Sequence, residues 1–302
     1  MRERAIRQEV ERYLRTGDSD ENFLGWPGRD YLARAEAKHR ILREALVEGV
    51  RDLEKGCHAV PIQKGIDVAH LARAKALPMV KGLFPAAEQE PILRLLAGSV
   101  TFVTRDNIQE LLTGTTWHRT AWDLANIYLG SIGARRLGDA ESDVVGLSEE
   151  TTCYVSLAYF KEADPFADFI VHEMAHVFHN WKRESVGLPH TRYREWLLAI
   201  DYSKRETFAY ACEAYSRILE RARDGAERRL LLSEYVSRGV PTAETVQQEE
   251  LVSALTEATL ARNGWKRILQ RCAPARQSFA RFSHLKGLGR SQVASIGGGQ
   301  QR

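Results

Sequence analysis

His172 and His176 stand four residues apart, with Glu173 beside the first, in the run Asp168-Phe169-Ile170-Val171-His172-Glu173-Met174-Ala175-His176-Val177-Phe178-His179-Asn180-Trp181. On a helix turning by ~100° per residue, positions four apart share a face and lie about 6 Å apart along the axis. Both imidazoles can then present a ring nitrogen to one zinc ion, at ~2.0–2.1 Å each. Glu173 falls at the edge of that face, where a carboxylate can take a proton from metal-bound water and later give it to a leaving amine. Phe169, Ile170, Val177, Phe178 and Trp181 supply the apolar surface that anchors such a helix in a core.

A hydrolytic zinc ion needs three protein ligands and one open position. His179 lies near the histidine face, but at ~1.5 Å rise per residue it stands about 10.5 Å from His172, too far to share the ion. It is left to orient a ligand, to contact substrate, or to end the helix with Asn180. Two acids follow in Glu206-Thr207-Phe208-Ala209-Tyr210-Ala211-Cys212-Glu213, seven residues apart on one helical face. Their neighbours Phe208, Ala209, Ala211 and Cys212 are core residues by type, and a carboxylate turned toward a core needs a cation. Glu206 is the preferred ligand and Glu213 the alternative; the remaining acid would then hold a histidine in orientation. Ser203 followed by Glu206 also reads as a capping box, which is the competing use of Glu206.

These residues must be positioned by a strand and two helices. Asp164-Pro165 is expected to open the motif helix, with Asp164 as cap and Pro165 in the first turn. Before it, residues 99–104 and 152–159 are β-branched and aromatic and read as strands, as does Val144-Val145-Gly146-Leu147. A helix is expected across 117–132 and a second strong one from about Ser203 to Arg223. The first hundred residues are mainly helical, with clear periodicity over 31–50 and 85–96 and a mixture of helix and loop over 55–83. His58 and His70 fall in that stretch without a ligand partner nearby. Residues 244–271 read as helix with a weak point at Gly264, and the glycine-rich end is expected to be disordered.

His172-Glu173-Met174-Ala175-His176, followed thirty residues on by Glu206-Thr207-Phe208-Ala209-Tyr210, resembles the zincin metallopeptidases, and among them the glutamate-ligand gluzincins. The second segment is also loosely similar to the glutamate helix of small regulatory zincins of bacteria and phages. The metzincin pattern is not met, for want of the glycine and third histidine downstream. The resemblance covers residues 99–223. It implies an α+β fold in which a small twisted mixed sheet packs on the motif helix, between helical N-terminal and C-terminal parts. It also implies one Zn2+ per chain held by His172, His176 and Glu206, and peptide-bond hydrolysis assisted by Glu173. The substrate, a protein or peptide, would add to the edge strand of the sheet, for which Cys153–Ala158 is the candidate. Tyr210, His179 or Tyr202 could hold the developing oxyanion; Tyr210 is the one placed in the site, against its use as a plain core aromatic.

With 302 residues, 44% hydrophobic and 27% charged, the chain can bury a substantial core. The expected divisions are 1–98, mainly helical; 99–223, the metallopeptidase core; 224–272, further helices; and 273–302, a basic tail. Net charge is only +3, yet no Asp or Glu follows Glu257 while nine Lys or Arg do. Arg262, Lys266, Arg267 and Arg271 on a helix, continued by Arg276, Arg281, Lys286 and Arg290, could face phosphates. That gives the alternative class, a nucleic-acid- or partner-binding regulatory protein on a zincin-like scaffold. No run is long and apolar enough for a membrane span or an export signal. Four widely spaced cysteines without a CxxC pair suit buried thiols in a reducing compartment, and so a cytoplasmic protein.

Overall fold

Three short strands carry the β-branched and aromatic runs: Val100–Val103 (β1), Gly146–Glu149 (β2) and Thr152–Ser156 (β3). They form a mixed sheet in the order β1-β3-β2, with β1 parallel to β3 and β2 antiparallel to it. In this computed structural model the described residues are 2–58, 66–138, 144–190, 195–241 and 245–274. Among them the sheet is surrounded by eleven α-helices, an α+β architecture that is mostly helical.

The period-2 alternation of side chains sorts the sheet between two cores. Val103 and Tyr154 face the helices Arg2–Thr16 (α1), Tyr31–Leu53 (α2), Ile108–Gly114 (α5) and His118–Ser131 (α6), whose buried side chains include Tyr13, Leu42, Leu46, Leu112 and Leu124. Val100, Phe102, Cys153 and Val155 face the opposite way, toward Val68–Leu83 (α3), Ala86–Ala97 (α4), Phe169–Asn180 (α7) and Arg205–Arg221 (α8). Gly225–Arg238 (α9), Gln248–Leu260 (α10) and Gly264–Cys272 (α11) complete this second core around α8. The helices of residues 1–98 thus divide between the two sides of the sheet.

Several elements differ from the sequence reading, each for a local reason. The motif helix begins at Phe169 rather than Pro165, because the Asp168 carboxylate accepts from the Val171 N–H and caps it. Asp164 instead closes a small turn by accepting from the Phe166 N–H. The strand expected over 152–159 stops at Ser156, whose hydroxyl accepts from the Ala158 N–H and starts a 3-10 turn. The helix expected over 244–271 breaks before Gly264, where Asn263 caps α11 by accepting from Lys266 N–H. The Asn263 amide also donates to the Gly82 carbonyl, tying α11 to α3. At that crossing Trp265 packs so near Gly82 that an added Cβ would lie 2.2 Å from its ring. Helix α9, capped by Asp224, falls in the 224–272 stretch expected only broadly as helices, and α3 was obscured by Pro78 in its interior.

The other expectations fall as follows. Cys153, Cys212 and Cys272 are buried free thiols and Cys57 is half-buried. His58 and His70 are exposed. Arg271 spends its guanidinium on Glu250, Glu257 and Ser253, while Arg276, Arg281, Lys286 and Arg290 lie outside the described residues. No described helix is long and apolar enough to cross a membrane.

Lys75 of α3 holds the start of α7 in place. Its ammonium lies 2.7 Å from Asp168 Oδ2 and 2.7 Å from Glu220 of α8, and the Asp168 side chain is only 1% exposed. Breaking a buried pair strands the remaining charge, at a cost of about 3–5 kcal/mol. Lys75→Met is therefore expected to lower stability by that order in urea unfolding. Glu220→Ala, which removes the half-exposed partner, should cost less than about 1 kcal/mol.

Candidate metal centre

Helix α7 lies against β2, β3 and α8, and α8 runs beside it with its acidic residues turned toward the histidines. The His172 and His176 Nε2 atoms are 3.3 Å apart. Glu206 Oε2 stands 3.6 Å from the first and Glu206 Oε1 3.5 Å from the second. Four ligands at ~2.0–2.1 Å around a tetrahedral zinc ion are spaced about 3.3–3.4 Å from one another. The two imidazole nitrogens have the separation of two corners of such a tetrahedron, each Glu206 oxygen stands near one of them, and the three residues together could hold one metal ion. Glu206 is free for this because the capping-box use is not made. Asp201, not Ser203, caps the short 3-10 turn ahead of α8, and α8 starts without a side-chain cap.

Glu213 takes a different place. Its Oε2 lies 3.0 Å from His172 Nδ1, and its Oε1 accepts from the Asp168 N–H at 2.7 Å. In the neutral ring the first contact would keep the His172 proton on Nδ1 and leave Nε2 free as a donor to metal. His179 does the same for His176: its Nε2 lies 3.3 Å from His176 Nδ1, while its own Nδ1 is buried without a partner.

Burial and these carboxylates set the charges. Burial alone would lower the His172 ring, but Glu206 and Glu213 outweigh it and push it up to about 10. His176 and His179 lack such support; burial, and then a neighbouring imidazole, takes them to about 4 and about 3. The Glu206 carboxyl is held below its usual range, chiefly by His172. Glu173 is buried and pushed up to about 7 by desolvation, against the pull of His172. Strand β2 passes directly over it at Gly146, where a Cβ would meet Glu173 Oε1 at 2.6 Å. Glycine in this strand marks that close approach, a signal the sequence carried and the reading passed over.

His172, His176, Glu206, Glu173 and Tyr210 all line one cleft of about 1020 Å³. The Tyr210 ring packs edge-on to His172 at 4.5 Å between centroids, and burial pushes its hydroxyl up to about 12. Tyr202 stands at the rim, 81% exposed. The strand bordering the cleft is β2, through Val144 to Ser148, and not the Cys153–Ala158 segment. Strand β3 is paired on both sides, by β1 and by β2, so its backbone offers no free edge.

No protein-family model matches this chain, nor does any curated protein or solved structure.

Two measurements test the centre. The first separates the two glutamates by chelator competition, with folding followed by circular dichroism. Glu206→Ala removes a donor atom and should cost the larger share of affinity. Glu213→Ala should cost about 10–100-fold, the usual effect of losing an orienting partner. The reverse order would assign the ligand to Glu213. The second exploits the His172 proton, which must leave before Nε2 can bind metal. Metal uptake at pH 8 should release at least one proton, read by calorimetry in buffers of different ionisation enthalpy. Affinity should rise with pH by about a decade per unit and level off above about pH 10, where that ring becomes neutral.

Proposed function

We propose that this chain is a zinc-dependent metallopeptidase with a zincin-like core, hydrolysing peptide bonds of a protein or peptide substrate. The observation that carries this reading is the coincidence, in one cleft, of a His172-His176-Glu206 donor set, a buried carboxylate at Glu173 and a strand edge at β2. The small mixed sheet, the motif helix and the glutamate helix beside it support the zincin comparison. Two imidazoles and one carboxylate are also the donor set that zinc favours for hydrolysis.

A zinc ion in this site would supply Lewis acidity, polarising the scissile carbonyl and making water easier to deprotonate. The chain's own residues do the rest. Among the described residues strand β2 has a neighbour on one side only, so an extended peptide can pair with its outer edge and lay a carbonyl over the histidines. Gly146 keeps that edge within reach of Glu173. With its carboxyl near neutrality, Glu173 takes the proton of the attacking water and returns it to the leaving amine. Glu213 and His179 hold the two imidazoles in the tautomers and orientations the donor set requires. Tyr210, on the cleft wall against His172, keeps its proton at neutral pH and could donate it in a hydrogen bond to a developing oxyanion. The buried, unpaired thiols support a reducing, cytoplasmic setting.

Glu173→Gln is the decisive variant. It should keep about one zinc per chain, by elemental analysis, and lose hydrolysis of an unstructured protein substrate by about 10²–10⁴-fold. His172→Ala should lose both. Hydrolysis that persists in the zinc-loaded Gln variant would remove Glu173 from the chemistry, and a wild-type chain that takes up no zinc would remove the metal.

A further inference from the structure

Arg205 is the only arginine or lysine among the described residues lining the cleft, and its guanidinium is unspent. It donates no hydrogen bond and makes no ion pair there; its Nε is buried without a partner, and its guanidinium stacks on the Tyr202 ring, 4.7 Å from the centroid, on the same side of the cleft as His176 and His179, whose protonated forms it disfavours. Two other arginines spend their terminal nitrogens, although Arg43 too keeps a buried Nε without a partner. Arg43 donates to the Leu112 and Thr115 carbonyls, and Arg183 to the Pro189 carbonyl and the Glu88 carboxylate. A stacked, half-buried guanidinium with open donors is a bidentate receptor for a carboxylate.

Its place gives the cleft a direction. Arg205 opens α8 immediately before the donor Glu206, whereas Tyr210 and Glu213, further along the helix, lead into a second cavity of about 440 Å³. Nine residues of helix separate Arg205 from Ala214 on that second wall, about 13 Å at ~1.5 Å rise per residue. Glu162 and Asp164 stand on the second cavity and no Lys or Arg does, among the described residues. A carboxylate is repelled from that end and welcomed at the other.

Resting on the peptidase reading, we propose that Arg205 is a specificity residue that binds a carboxylate of the substrate. The enzyme therefore selects peptides carrying an acidic group on the Arg205 side of the cleaved bond. That group is an Asp or Glu side chain or the α-carboxylate of a chain end; both present the same two oxygens.

The test uses fluorophore-labelled ten-residue peptides of Ala and Gly with one Glu moved through each position, their Gln counterparts, and both sets with free or amidated ends. Binding is read by anisotropy on zinc-loaded Glu173→Gln, and cleavage by mass spectrometry on zinc-loaded wild type. One Glu position is expected to bind about 10–100-fold tighter than its Gln twin, with the difference fading in high salt. If amidation, and not Glu→Gln, removes the gain, the carboxylate is a chain end. Arg205→Gln should abolish the discrimination through KM, with zinc content kept; Arg205→Lys should restore part of it, and Arg205→Glu should favour Lys in place of Glu. Cleavage with no preference between the Glu, Gln, free and amidated peptides would overturn the carboxylate receptor and leave the peptidase reading standing. Preferential binding without cleavage would do the opposite, and neither binding nor cleavage would remove both.

Discussion

Glu213 joins the two helices that make the centre. One of its oxygens meets His172 Nδ1 and the other accepts from the backbone N–H of Asp168, so a single carboxylate fixes α8 against both the start and the first turn of α7. Asp168 is itself the cap of α7 and the buried partner of Lys75. The position of the histidines relative to Glu206 thus descends from a chain of contacts running Lys75, Asp168, Glu213, His172, across three helices. The individual contacts are ordinary. Their value is geometric, because an ion tolerates errors of only a few tenths of an ångström in its donors.

Electrostatics explains why such a cluster can exist in a fold without the ion. Glu173 and Glu213 are buried beside the part-exposed Glu206, and burial is costly for carboxylates. The cost is offset by a proton shared with His172 and by partial neutralisation of Glu173. The same field that favours a proton there would also favour a metal cation. His176 and His179 stay neutral in either case, since nothing acidic as close as Glu213 is to His172 faces them.

Much of the side-chain cluster was legible in the sequence and less of the framework. The His172-Glu173-His176 spacing needs only helical periodicity, and α7 is helical, so these side chains share a face. Glu206 and Glu213 could be named from their seven-residue interval, but which one faces the histidine Nε2 atoms depends on the rotation of α8 about its axis, a tertiary quantity. The start of α7 was misplaced because Asp164-Pro165 and Asp168 are both good openings, and only the burial of Asp168 beside Lys75 selects between them. The edge strand was misread for a similar reason. β3 is the more hydrophobic run, and that is because it is central, paired on both sides and buried. Gly146 and Lys75 act through neighbours distant in sequence, which no local pattern reveals.

Strand β2 is only four residues long. An unpaired edge invites any extended chain, including another copy of the same protein, and proteins usually blunt such edges by shortness or charge. Here both devices are present, since Glu149 ends the strand and Glu150 turns the chain away with a positive φ of 52°. The same brevity limits what a guest can gain. A strand of this length spans about 13 Å at ~3.3 Å per residue and can exchange few backbone hydrogen bonds with a visitor. Adhesion along the backbone is then weak for every chain alike, and discrimination among visitors falls to the side-chain chemistry at the two ends of the cleft.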